Sequence, residues 1–384
     1  MKQYIDQNGQ PFASLAVPVW RGSTVVFDNF EDFANRKARQ PDGYSYGLTG
    51  NPTSRELERR IAALENGKHC VVVPSGQSAL MTTVMGFIRG GDHILISESC
   101  YGALKTFAKK WLANMGVEVE FFPPTSGRDI ESRVKPNTKF ICMESPGTVT
   151  MEMQDIDGIV EVARCHGIRT MIDNTWASPL YYKPLDHGVD FCIESATKMF
   201  GGHSDLLLGA IIMNHRDDYA VLRETQSILG QNTCPEDCYL VLRGLETFEL
   251  RMRWQSASTM KIVRWLSRQP QVDRIFFPAL ESDPGYALWK KNYSGNGCLF
   301  SFTFKKDCDE AVSAFFNALK VFPIGASWGG THSLIAYYPA AQQQARLFAP
   351  TRQAVVRVAV GIQDPDVLIS DLAGALDAWD KQLS

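Results

Sequence analysis

Between residues 69 and 213 the sequence alternates short apolar runs with amphipathic stretches. This alternation constrains the fold more than any other feature. Runs at Cys70–Pro74, His93–Ser97, Val117–Phe122, Lys139–Met143, Ile168–Ile172, Phe191–Ile193 and Leu206–Met213 read as buried strands. The stretches between them carry apolar residues at helical spacing, opening near Ser75-Gly76, Tyr101 and Asp157. Strands that are apolar throughout, alternating with helices, imply βαβ units and a mostly parallel sheet covered on both faces. The fold class expected is therefore α/β. No self-similarity at repeat length is visible.

The flanks read differently. Residues 1–50 are rich in Pro, Gly, Asn and aromatics, and Pro11, Pro18, Gly22, Pro41 and Gly43 interrupt any long element. Such an arm cannot bury a core of its own and must lie across something else. A helix over Arg55–Asn66, capped by Ser54, follows it. After Asn214 come a helix at Asp217–Leu229 and a long helical region from Pro235 to about Gln269. A smaller α+β part closes the chain. Its strands are near Val272–Phe277, Gly297–Phe304 and Val355–Val360, and its helices near Asp309–Leu319 and Pro365–Trp379. The organisation expected is an arm over 1–50, a main domain over 51–245 and a C-terminal domain over 246–384.

A chain of 384 residues with net charge −3 has no basic field to draw nucleic acid or anionic lipid. The first ten residues are polar, and no apolar run approaches the roughly 20 residues needed to cross a bilayer. The nine cysteines are scattered and odd in number, as in a reduced cytoplasmic protein. Cys234 and Cys238 have no second pair with which to form a zinc site, so no metal is expected.

The chemistry sits at strand ends. Ser195-Ala196-Thr197-Lys198 follows the run ending at Ile193 and precedes a glycine pair. A lysine at the mouth of a buried strand loses solvation, so its amine becomes nucleophilic at neutral pH. Ser75-Gly76-Gln77 joins a strand to a helix, where free backbone N–H groups suit a phosphate. Asp173 ends an apolar strand and needs a cation or donors there. Tyr101 opens a helix and can lie over a flat ligand. Arg357 interrupts the apolar run 355–360 and calls for an anion. Each feature alone also fits a plain surface lysine, turn glycine, capping aspartate or rim tyrosine. Together they match what pyridoxal 5′-phosphate needs: a phosphate cradle, a partner for the ring nitrogen, a ring plate, a Schiff-base lysine and a substrate clamp.

From about Tyr44 to the last helix, the chain resembles the cystathionine/methionine-metabolism family of pyridoxal-phosphate enzymes. The matching residues include Tyr46-Gly47, Ser75-Gly76, Glu144-Ser145-Pro146-Gly147, Thr150-Met151-Glu152 and Ile172-Asp173-Asn174-Thr175-Trp176-Ala177. Ala196-Thr197-Lys198, Gly202-His203-Ser204-Asp205, Arg243-Gly244-Leu245 and Ser327-Trp328-Gly329-Gly330 continue the match. The resemblance implies fold type I, like that of aspartate aminotransferase. It implies that pyridoxal phosphate is carried covalently on Lys198, which later moves protons. Asp173 would pair with the ring nitrogen, and Tyr101 would stack on the ring and assist proton transfer. Gly76, Gln77, Ser195 and Thr197 would hold the phosphate. Tyr46 would reach the cofactor of a neighbouring subunit. Ser327, Trp328 and Arg357 would contact the substrate, with Arg357 on its α-carboxylate. A homotetramer built as a dimer of dimers is implied, with no nucleic-acid or membrane partner.

Within the family, Ser327-Trp328-Gly329-Gly330 resembles the variant that eliminates at Cβ. The implied reaction takes a small sulfur amino acid, L-cystathionine, to homocysteine, pyruvate and ammonia, as in methionine biosynthesis. Two departures stand out. Leu48 occupies a position where the family commonly has a phosphate-clamping arginine, with Arg55 a candidate substitute. Ala326 stands where β-lyases of this kind commonly have tyrosine. A relative acting at Cγ (γ-lyase, γ-synthase or sulfhydrylase) is therefore the alternative. A non-catalytic binding or regulatory role is the third reading, and the intact lysine, aspartate, tyrosine and arginine argue against it.

Overall fold

The computed structural model describes residues 2–5, 8–306 and 308–383. The arm is more ordered than its Pro and Gly content suggests. It forms a hairpin, β1 (Lys2–Ile5) against β2 (Pro11–Ser14), and a short helix, Phe30–Ala34. Proline opens β2, a position where the ladder loses least. The arm still buries almost nothing: Thr49 is the one buried side chain among its described residues, and Leu15, Val26 and Phe30 are more than 80% exposed.

Asn51, not Ser54, caps the first long helix, Pro52–Leu64. Its side chain accepts hydrogen bonds from the Thr53 and Ser54 amides at 3.0 Å, and Ser54 Oγ accepts from the Asn51 amide. Proline at the first helical position has no N–H to leave unpaired, which moves the start three residues earlier than expected.

Seven strands form the main sheet: β3 (His69–Val73), β4 (His93–Ser97), β5 (Glu118–Phe122), β6 (Thr138–Glu144), β7 (Arg169–Asp173), β8 (Phe191–Glu194) and β9 (Gly209–Met213). Their order is β3-β9-β8-β7-β6-β4-β5. β9 runs antiparallel to both neighbours, and the remaining pairings are parallel. Alternate residues sort into two cores. Val71, Ile94, Phe140 and Ile193 face one, whereas Val72, Leu95, Ile141 and Ile172 face the other. Both faces are dry, which is why these runs lack polar alternation.

The expected long helix divides into Pro235–Leu245 and Phe248–Leu266. Gly244 ends the first at a close approach, since a Cβ there would stand 2.2 Å from the Phe200 carbonyl oxygen. A second, antiparallel sheet follows, with β10 (Val272–Phe276), β11 (Leu299–Phe304), β12 (Leu334–Tyr338) and β13 (Val355–Ala359) in the order β10-β11-β13-β12. The edge strand β12 was not among the expected strands. Helices Asp309–Ala318 and Pro365–Asp380 pack on this part. Arg357 lies on β13 between Ser301 of β11 and Ala336 of β12, two small neighbours that leave its side chain room. No described helix is long and apolar enough to cross a membrane.

Candidate active site

A cavity of about 660 Å³ opens at the carboxyl ends of β6, β7 and β8. Ligands in open α/β sheets bind at this end of the strands. Gly76, Gln77, Ser195, Thr197 and Lys198 line it on the strand-end side, with Tyr101 and Asp173. Arg357 lines it from the second sheet, and Ala326 and Trp328 from the segment that precedes β12. The structure thus brings together residues far apart in sequence. Ser327 joins them through Lys198, whose Nζ donates to Ser327 Oγ at 3.1 Å.

The phosphate-type end is built by the helix Gly76–Phe87. Ser75 caps it, accepting from the Ser78 amide at 3.0 Å, so the Gly76 and Gln77 amides have no partner in the first turn. A Cβ on Gly76 would stand 2.7 Å from both Cβ and Oγ of Ser195. Only glycine lets the helix start sit this close to the Lys198 strand end. Thr197 contributes less freely than expected. Its hydroxyl accepts from the Leu208 amide at 2.9 Å and donates to the Leu208 carbonyl at 3.2 Å.

Asp173 ends β7. Its Oδ1 accepts from the Thr175 amide (3.0 Å) and hydroxyl (2.6 Å). Burial raises its pKa, while these bonds and the Lys198 charge favour the carboxylate. Glu144, in register with Asp173 on β6, is a site residue to which sequence reasoning gave no role. It accepts from the Tyr101 amide at 2.6 Å and from the Thr148 hydroxyl at 2.6 Å, which fixes where the Tyr101 ring starts. Burial, with the Asp173 charge adding, pushes the Glu144 carboxyl well up. The signal that marked Asp173, an acid ending an apolar strand, marked Glu144 equally.

Lys198 lies in a tight turn in which its own amide donates to the Ser195 carbonyl at 2.9 Å. Burial, and then the Arg357 charge, hold its amine below the usual lysine value. The Trp328 ring lies 5.6 Å from Nζ. Arg251 secures the turn from behind, donating to the carbonyls of Met199 and Gly244 at 2.9 Å. Arg357 donates to the Ala326 carbonyl, and its guanidinium carbon sits 5.1 Å from the Tyr338 ring centre. Tyr338 also lines the cavity, at the end of the unforeseen strand β12.

Tyr46 is 55% exposed and does not line this cavity. Arg55 is already committed within the chain, donating to Glu58 and Thr49 O at 2.8 Å and to Pro41 O at 3.3 Å.

An open, mostly parallel sheet with a half-buried lysine, a strand-end aspartate and a glycine cradle at its carboxyl edge defines a fold type I pyridoxal-phosphate enzyme. The family described as Cys/Met metabolism PLP-dependent enzyme matches residues 3–377, and the chain belongs to it. A putative cystathionine beta-lyase from Rhizobium johnstonii is 40% identical, over 92% of this chain and 89% of its own. An L-alanine/L-glutamate racemase from Wolbachia pipientis is 36% identical, over 94% and 92%. The crystal structure of metB from Corynebacterium glutamicum superposes with a TM-score of 0.88 at 28% identity, covering 97% of this chain and 95% of that one. The cofactor is therefore pyridoxal phosphate, and the first-turn amides of the helix that starts at Gly76, held close to Ser195, suit its phosphate.

Proposed function

We propose that the protein is a carbon–sulfur β-lyase that cleaves L-cystathionine to homocysteine, pyruvate and ammonia. One observation carries this reading. Lys198 Nζ, hydrogen-bonded to the Ser327 hydroxyl, and the Arg357 guanidinium share one cavity, so a base faces a substrate held by its carboxylate. Bound there, pyridoxal phosphate supplies a sink for negative charge developing at the substrate's Cα. Gly76, Gln77 and Ser195 hold the phosphate, Lys198 is the point of covalent attachment, and Asp173 faces the ring nitrogen. Arg357, kept cationic in a partly dry site, pairs with the α-carboxylate. Lys198, freed by the substrate's amine, removes the proton from Cα, and its lowered pKa keeps the base available. The same nitrogen then delivers a proton to the leaving sulfur. Tyr101, fixed by Glu144, assists that transfer.

The exposed arm, with Leu15, Val26, Phe30 and Tyr46 on its surface, supports a tetramer in which Tyr46 serves a neighbour's site. The three-part organisation over 1–50, 51–245 and 246–384 belongs to the same reading. Its second boundary falls at the break between helices Pro235–Leu245 and Phe248–Leu266. Incubation with L-cystathionine tests the reaction. Pyruvate with homocysteine is expected. Production of 2-oxobutyrate with cysteine would place the cleavage at Cγ instead, and racemisation of L-alanine in a parallel incubation, with L-cystathionine left intact, would make the protein a racemase.

A further inference from the structure

Behind the strand ends that lead to Lys198 lie two buried carboxyl groups that form no ion pair among the described residues. Glu65 follows the helix Pro52–Leu64 as its C-cap and is 0% exposed. Glu194 is the last residue of β8 and is 2% exposed. Ligating atoms of Glu65, Glu194 and Cys192 all lie within 4.8 Å of one another. Neither glutamate forms an ion pair within the distances of the described salt bridges. Glu65 Oε2 and Glu194 Oε1 are both buried without a partner. Two ionised carboxylates cannot share such a site, whereas one proton between them satisfies both orphaned oxygens at once.

We propose that Glu65 and Glu194 share a single proton across a carboxyl–carboxylate hydrogen bond, and that this latch positions the strand end carrying Ser195, Thr197 and Lys198. The surroundings favour the proton. From β7 the Asp173 charge faces the pair, and Asn174 donates to Glu65 Oε1 at 3.4 Å and to the Tyr182 carbonyl at 3.0 Å. From β8 and β3 come the Cys192 and Cys70 thiols, both kept neutral by burial. The Tyr182 hydroxyl is buried and unpartnered. Lys183 acts on Glu65 from outside while donating to Asn66 Oδ1 at 2.9 Å. A bound metal would instead require the pair to give up its shared proton and Cys192 its thiol proton, both of which burial favours keeping. Burial pushes Glu65 up to about 7, and burial together with the Glu65 charge pushes Glu194 well up.

The latch acts on the site through the backbone. Asn174 N donates to Ile193 O at 2.9 Å and Ser195 N to Thr175 Oγ1 at 2.9 Å, so the ends of β7 and β8 move as one piece. Glu65 and Glu194 are positioning residues, since neither lines the cavity.

Infrared spectroscopy of the whole protein is the direct test. A protonated carboxyl band is expected in the wild type at neutral pH and should persist above the pH at which exposed carboxyls have ionised, because burial and the Glu65 charge push Glu194 well up. Wild-type-minus-variant difference spectra of both E65Q and E194Q should show its loss, against the Glu144 carboxyl common to all three proteins. A carboxyl whose folded pKa is raised stabilises the fold fully below its unfolded value, near 4.5, and loses that contribution as pH climbs towards the folded value. The wild-type melting temperature should therefore fall relative to E65Q between these two pH values. Glutamine should rescue what alanine does not, because its amide donates in place of the carboxyl proton. Absence of the band in the wild type, parallel pH–Tm curves, or one equivalent of metal by elemental analysis would each overturn the latch. The infrared readout holds even if a variant fails to fold.

Discussion

Gly76 and Ser195 pack so closely that a methyl group on the glycine would lie 2.7 Å from the serine Cβ. The helix that begins at Gly76 therefore aims its unpaired amides at the strand end that carries Lys198. The phosphate cradle and the reactive lysine are held by one contact. Gly76→Ala has to push the two apart, an overpacking cost of about 1–3 kcal/mol. The expected result is a folded protein whose cofactor affinity drops about 10- to 100-fold. Dialysis followed by the visible absorbance of the retained cofactor measures it. Unchanged retention would separate the cradle from phosphate binding.

Lys198 and Arg357 share a partly dry cavity, so the charge on one disfavours the charge on the other. In cofactor-free protein near neutral pH, Lys198 should therefore be among the first lysines labelled by brief reductive methylation. Arg357→Ala removes a positive neighbour and should raise the Lys198 pKa, slowing that labelling. Peptide mass spectrometry reads both. In the same variant the α-carboxylate loses a charge-assisted bond worth about 1.5–3 kcal/mol. KM for cystathionine should rise about 10- to 100-fold.

How much of this was legible follows from where charge meets apolar sequence. Asp173 ends a buried run, Arg357 interrupts one and Lys198 follows one closely, and a charge in such a place needs a reason. Glu144 carried the same mark, but its partner is the Tyr101 backbone amide, which no side-chain pattern reveals. Tyr338 was invisible because β12 is a short edge strand bounded by proline, too brief to show a period. The Asn51 cap was masked by a competing Ser54, three residues on in the same box. The main sheet was readable because both its faces are dry. The arm hairpin was not, because little of it is buried and its prolines argue against strands.

Glu58 ties the first long helix to the sheet. Both its carboxylate oxygens lie 2.9 Å from Arg223 Nη2, and Oε1 also accepts from the Val72 amide at 3.1 Å. Arg223 is 2% exposed, so removing its partner strands a buried cation. Glu58→Ala is expected to destabilise the protein by about 3–5 kcal/mol. Urea denaturation should show the loss as a lowered midpoint at unchanged slope. A change below about 1 kcal/mol would mean that water reaches Arg223.

Asp173 separates chemistry from structure most cleanly. Thr175 donates to its Oδ1 from both amide and hydroxyl, and an asparagine carbonyl oxygen can accept the same two bonds. Asp173→Asn should therefore leave the fold and the strand end intact, with a melting temperature close to the wild type. What it removes is the negative charge. An amide cannot stabilise a protonated ring nitrogen, so the cofactor would draw less charge from Cα. A loss of one such preorganised electrostatic partner lowers kcat by on the order of 10² or more. KM should change much less if, as proposed, Arg357 and Ser327 hold the substrate. Steady-state kinetics beside thermal melting resolves the two effects. A matching fall in Tm, or a kcat within about threefold of wild type, would show that the carboxylate serves the β7 end and not the ring.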